Sequence, residues 1–195
     1  MSTPSNLSKF AGLQLIDRYS LPHPDWRFGT SPEDIPEDPW TTAAHGWTVR
    51  CAPKSRYAFA LPASHRLPYR QVRVVLESLR QLTSEHVFVV YPSWEFDISG
   101  GLLIDRPMIY VEVVRGDIAD LLRGRRSPDA VLSFDSSAGY ASECLRGDAE
   151  ILHEADQVVL VRALRALREE DKVVFEWTKT TDGQILFHDC ARFGQ

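Results

Sequence analysis

The segment Val173-Val-Phe-Glu-Trp-Thr-Lys-Thr-Thr-Asp-Gly-Gln-Ile-Leu-Phe-His-Asp189 restricts the fold more than any other part of the chain. Two runs rich in β-branched and aromatic residues flank Asp182-Gly183, a dipeptide favoured in two-residue hairpin loops because both turn positions need positive φ. A hairpin closed there sets Thr181 opposite Gln184, Thr178 opposite Phe187 and Glu176 opposite Asp189. Side chains paired in this way share a sheet face and lie about 4.5–5.5 Å apart at Cβ, so like charges repel. A cation between the carboxylates removes that cost, and Mg²⁺ takes carboxylate oxygens together with the phosphates of a nucleotide. Val174 and Phe187 are expected on the acidic face. A solvent-facing edge with two hydrated carboxylates is the plainer alternative.

The rest of the chain supplies elements for this hairpin to pack against. Leu7, Phe10, Leu13 and Ile16 at helical spacing predict a first helix over 7–19, capped by Ser5 or Asn6. Val72, Val75, Leu76, Leu79 and Leu82 predict a second over 70–82. A short helix is expected over 117–123 and another amphipathic one over 155–168. Strands are expected over 26–28, 46–51, 57–61, 86–91, 101–104, 108–114 and 130–134. Residues 136–148 are small and polar and read as a mobile loop able to act as a lid. This mixture points to an α+β fold with a largely antiparallel sheet.

Composition excludes several classes. The 195 residues are 44% hydrophobic and carry a net charge of −5, which suits one domain or two fused lobes and disfavours a nucleic-acid binder. No apolar run is long enough to span a bilayer, so no membrane partner is expected. Met1–Asn6 has neither a basic nor an apolar leader pattern, and Cys51, Cys144 and Cys190 lack metal-ligand spacing. Reduced thiols in a cytoplasmic protein are the expectation. The histidines do not cluster, so zinc is not expected.

Two further places hold charge where chemistry could use it. Arg50, Lys54 and Arg56 bring three cations within seven positions at a strand end, a pattern able to grip phosphates. A solvated basic loop is the alternative. Glu112 stands alone in the apolar run Tyr110-Val-Glu-Val-Val114, where a one-sided strand could simply turn it to water.

Several segments together resemble the ATP-grasp nucleotide-binding domain of phosphoenolpyruvate synthase and pyruvate phosphate dikinase. Val49-Arg50-Cys51-Ala52 is similar to that family's Val-Arg-Ser-Ser/Gly strand end, whose arginine contacts ATP phosphates. Tyr110-Val-Glu-Val-Val-Arg-Gly116, Leu121-Leu-Arg-Gly124 and Ser127-Pro-Asp129 resemble its Ile-Glu-Ala-x-x-Gly…Val-x-Gly…Pro-Asp run. Phe175-Glu-Trp-Thr178 with Ile185-Leu-Phe-His-Asp189 resembles its closing hairpin, which carries metal and nucleotide carboxylates. Asn6-Leu7 through Leu21-Pro22-His23-Pro24 is similar to its first helix and Gly-Leu-Pro-Val-Pro turn.

The resemblance implies an α+β ATP-grasp fold with a small lobe over residues 1–82 and a larger one over 83–195. It implies ATP and Mg²⁺ as cofactors and Arg50, Glu176 and Asp189 as catalytic residues, Glu176 and Asp189 holding the metal. Arg50, Lys54, Arg56, Glu112, Glu176, Asp189 and Arg192 are the nucleotide contacts it suggests. There are departures. The family's Gly-Lys pair before the first helix is replaced by Thr3-Pro-Ser-Asn6, its Ala-Glu-Asp by Pro53-Lys-Ser-Arg56, and its hairpin Gln by Asp189. The swivelling phosphohistidine domain and pyruvate barrel have no counterpart here, so the three-step kinase reaction is not expected. The expected activity is phosphotransfer to a small molecule or partner protein. The alternatives are ligation through an acyl phosphate, or a non-catalytic module that binds a ligand or partner in the same cleft.

Overall fold

Residues 8–35, 43–54, 63–82 and 85–192 are described by the computed structural model. Arg56, the strand expected over 57–61 and the lysine-free stretch 3–6 lie outside them.

Alternating side chains decide how the strands pack. In β9 (Val173–Thr180), Val173, Phe175 and Trp177 are fully buried, whereas Val174 and Glu176 between them are partly exposed. β10 (Ile185–Arg192) pairs with β9 on one side, and β5 (Phe96–Asp105) on the other. Beyond β5 lie β6 (Met108–Arg115), β7 (Ala130–Asp135) and β8 (Ala141–Gly147), all antiparallel, so the sheet order is β10-β9-β5-β6-β7-β8. A second antiparallel sheet has the order β1-β4-β2-β3, with β1 at Arg27–Gly29, β2 at Trp47–Pro53, β3 at Ala63–Leu67 and β4 at His86–Pro92.

Helices cover one side of each sheet. α1 (Lys9–Arg18) and α4 (Glu154–Ala166) send Leu13, Ile16, Leu160 and Leu164 into a common core with Phe175, Trp177 and Phe187. Burying each of these aliphatic side chains contributes about 1.5–3 kcal/mol. Gly12 lets α1 lie directly on β10, because a Cβ there would stand 2.3 Å from the Cys190 carbonyl oxygen. α2 (Tyr69–Ser78) buries Val72 and Leu76 in a smaller core with Trp47, Val49, Phe88 and Val90. α3 (Ala119–Leu122) is a single short turn after β6.

The fold differs from the sequence reading in four places. α1 is capped by Ser8, whose hydroxyl accepts from the Ala11 N–H at 3.1 Å, instead of by Ser5 or Asn6. The first sheet runs on to Pro92, past the lobe boundary expected at residue 82, while α1 packs on the second sheet. β5 begins at Phe96, well before the expected Gly101. Residues 141–147, expected within a loop, form the edge strand β8, held by main-chain bonds to β7. Every residue of β8 is exposed, which explains its polar composition: an edge strand here needs backbone pairing and no apolar face.

Candidate functional site

The hairpin brings Glu176 and Asp189 face to face, but by another route than a two-residue turn. The Thr180 N–H donates to Gln184 O at 2.8 Å and Gly183 adopts φ +89°, so the loop is Thr181-Asp182-Gly183. That extra loop residue pairs Thr178 with Leu186 and Trp177 with Phe187. A β-bulge between Phe187 and Asp189 then takes up one residue, and Asp189 falls opposite Glu176. Phe187 consequently lies on the buried face, its ring 6.2 Å from that of Phe175, and not beside the carboxylates as expected.

Cross-strand partners share a face, so Asp189, Glu176, Gly101 and Glu112 form one row across four strands. Glu112 is exposed and separated from Glu176 by the strand bearing Gly101, about 9–10 Å away in strand spacings.

Asp189 is the electrostatic centre. Lys9, the first residue of α1, donates its ammonium to Oδ2, and Arg50 of β2 donates to the same oxygen at 3.3 Å. Arg50 also reaches the Tyr91 hydroxyl at 3.4 Å. Burial works against the Asp189 charge, yet Lys9 and Arg50 hold its carboxyl below the usual carboxylate range. Among the described residues no cation pairs with Glu176; burial first and the Asp189 charge second push its carboxyl well up. Burial likewise opposes the Arg50 charge, but Tyr91 and Asp189 keep the guanidinium protonated.

Of these groups Arg50, Tyr91 and Glu176 border a cavity of about 540 Å³ between the two sheets, whereas Asp189 and Lys9 do not line it. Arg50, Tyr91, Trp94, Thr178, Glu176 and His188 line its inner part. The indole of Trp94, in the link from β4 to β5, donates to Thr178 Oγ1 at 2.9 Å and ties the two lobes together. His188, the bulge residue, sets its ring 5.9 Å from that of Trp94. Its Nε2 is buried with no hydrogen-bond partner among the described residues, and burial and Arg50 together lower its pKa to about 4, so the imidazole is neutral at pH 7.

The remaining residues singled out by sequence are elsewhere. Lys54 is exposed past the end of β2, its backbone carbonyl accepting from Ser8 Oγ at 3.2 Å, and it does not border the cavity. Arg192 does not border the cavity either; it donates to Glu170 at 3.1 Å, beside the Tyr19 hydroxyl that donates to the other oxygen at 2.7 Å. Lys9 and His188 were not foreseen as site residues. For Lys9 the available signal was its place one turn before Leu13 and Ile16, since a helix that buries those residues on β10 carries its first residue to that strand.

Among the described residues no group of three or more His, Cys, Asp and Glu could hold a metal ion. The opposed pair Glu176 and Asp189 still fits Mg²⁺, which uses one or two carboxylates with substrate phosphates. Burial first and the facing Asp189 charge second raise the Glu176 carboxyl, and a cation held between the two carboxylates would relieve the second cause. No helix among the described residues is long and apolar enough to cross a membrane.

By sequence, no family model and no curated protein matches the chain. By structure, it resembles the dinucleotide-forming acetyl-coenzyme A synthetase 1 of Ca. Korarchaeum cryptofilum, solved with coenzyme A, Ca-AMPCP and HgCl⁺. That match has a TM-score of 0.60 at 15% identity and covers 98% of this chain and 94% of that one. It also resembles N5-carboxyaminoimidazole ribonucleotide synthetase in its ADP complex, with a TM-score of 0.55 at 13% identity over 98% of this chain and 46% of that one. This is the ATP-grasp fold. The D-alanyl-alanine synthetase A of Vibrio cholerae shares it at a TM-score of 0.54 and 10% identity, over 96% of this chain and 55% of that one. The chain thus spans nearly all of the first ATP-grasp protein and about half of the other two. The finer likeness to phosphoenolpyruvate synthase and pyruvate phosphate dikinase rests on the sequence segments alone.

Proposed function

We propose that this chain is an ATP-grasp enzyme that binds Mg-ATP in the cavity between its sheets and transfers the terminal phosphoryl group to an acceptor. The observation that carries the reading is that Glu176 and Arg50 line that cavity while Asp189, opposite Glu176, accepts from both Arg50 and Lys9. In-line phosphoryl transfer demands positioning and charge neutralisation more than covalent chemistry from the protein. Arg50 and Lys9 supply cations for phosphate oxygens, each presently held by Asp189. Glu176 and Asp189 would hold Mg²⁺, which when bound neutralises phosphate charge. The aromatic groups of Tyr91 and Trp94 offer faces for a base, and His188 Nε2 offers an unmet hydrogen bond. Lys9 takes the part of the lysine missing from residues 3–6.

A carboxylate acceptor is the second reading, and would make the product an acyl phosphate. It is favoured by the synthetases among the structural neighbours. Isothermal titration with ATP, with and without Mg²⁺, tests the shared step. Saturable binding that requires Mg²⁺ is expected, and ADP appears once an acceptor is supplied. Absence of nucleotide binding overturns the proposal.

A further inference from the structure

The mouth of the cavity has a charge arrangement that nucleotide phosphates at the inner end do not use. Arg66 of β3 and Arg123, just after α3, both border it, one from each lobe. Both are exposed, and among the described residues neither guanidinium has an ion-pair partner. The contrast with adjacent arginines is informative. Arg115 pairs with Asp148 at 3.0 Å, Arg126 with Asp129 at 2.7 Å and Arg125 approaches Asp120 at 3.9 Å. Only the arginine of this stretch that borders the cavity is left over. Asp117, the nearest acidic group of the rim by sequence, turns its carboxylate to the Ala119 N–H at 2.8 Å.

Arg66 is also held in an unfavourable backbone conformation. Its φ is +56°, in the left-handed region that L-residues with long side chains rarely adopt. The Arg66 N–H donates to Ser93 Oγ at 3.2 Å, and that hydroxyl bonds Thr48 Oγ1 at 2.8 Å. Gly46 makes room for the bend, since a Cβ there would lie 2.8 Å from the Arg66 carbonyl carbon. Strain fixed by three neighbours next to a cavity marks a position where side-chain direction matters.

We propose that Arg66 and Arg123 clamp the anionic group of the acceptor, a carboxylate or a phosphate, at the cavity mouth. This rests on the Mg-ATP reading above, with the nucleotide phosphates at the Glu176–Asp189 end. Guanidinium groups meet both anions through paired N–H donors, and a clamp drawn from two lobes closes the cavity as it binds. An acceptor gripped there extends its nucleophilic oxygen inward, so the substrate carries at least two functional groups: the clamped anion and the phosphorylated oxygen.

The test is calorimetric titration of the full chain with acetate and with inorganic phosphate, with and without saturating Mg-ADP. Parent, Arg66→Gln, Arg123→Gln and the paired-arginine control Arg125→Gln are compared. At least one anion should bind the parent, and its affinity should fall about tenfold or more in each of the first two variants. It should not change in Arg125→Gln, and Mg-ADP affinity should stay constant throughout. Acetate and phosphate arms identify which anion is preferred. Equal anion binding in all four proteins, or none in the parent, overturns the clamp. So does loss of Mg-ADP affinity in Arg66→Gln and Arg123→Gln, which would assign the arginines to the nucleotide. If the parent itself fails to bind Mg-ADP, the Mg-ATP reading falls, while the titrations without nucleotide still report on the two arginines.

Discussion

Lys9 and Asp189 form an ion pair across 180 positions of sequence, joining the first turn of α1 to β10 opposite Glu176. Both side chains are largely buried, and Arg50 shares the same carboxylate oxygen. Lys9→Met leaves Asp189 with Arg50 alone and should destabilise the fold by about 1.5–3 kcal/mol. Urea denaturation of Lys9→Met, Asp189→Asn and the double variant gives the coupling, expected at about 0.5–3 kcal/mol. Strictly additive losses would mean that the pair does not form in solution.

Glu176 yields a pH prediction for the metal-free protein. Burial, then the charge of Asp189, raises its pKa in the folded state above the ordinary 4.5. Below that ordinary value the group is protonated in both states and has no effect. As pH rises above it, the unfolded chain gives up its proton while the folded one resists, so stability falls until the folded carboxyl also ionises. Glu176→Gln removes the penalty. Its thermal midpoint should match the parent near pH 4 and exceed it near pH 8, by about 1–3 kcal/mol of stability. A constant difference across that range contradicts the assignment.

Legibility in the sequence tracked the range of the interactions involved. The hairpin was readable because Asp182-Gly183 and the strand residues around it act locally. The Glu176–Asp189 pairing came out as expected only because two local features offset each other. A three-residue loop moves the register by one and the His188 bulge moves it back, and neither has a signal as strong as Asp-Gly. Phe187 shows the cost of missing them, since it turned out on the opposite face. Lys9 was missed for another reason. Its role depends on the docking of α1 against β10 through Gly12, a contact between distant parts of the chain. The polar stretch 136–148 was misread because composition reports exposure, and an exposed edge strand has the same composition as a loop.

Thiol reactivity offers a check on the packing of the two lobes. Cys51 is buried in the four-stranded sheet, where burial raises its pKa to about 11, and Cys190 lies under α1 with its pKa also raised, by burial first. Cys144 is exposed on β8. Reaction requires thiolate and access, so Ellman's reagent at pH 8 should titrate one thiol quickly and the other two only on unfolding. Rapid reaction of two or three thiols in the native protein would contradict this placement of β2 and β10.

His188 separates stability from function. Its Nε2 is buried without a partner, a situation that costs a folded protein free energy unless a ligand supplies the missing bond. The ring otherwise packs against Trp94 at 5.9 Å, and phenylalanine can keep that contact. His188→Phe should therefore leave stability unchanged or raise it by about 1 kcal/mol. Nucleotide affinity should move the other way, weakening about fivefold to tenfold if Nε2 meets the bound nucleotide. Chemical denaturation and ATP titration of the same preparation read both effects. A variant that loses stability but binds ATP normally would show that His188 serves only the bulge that sets Asp189 opposite Glu176.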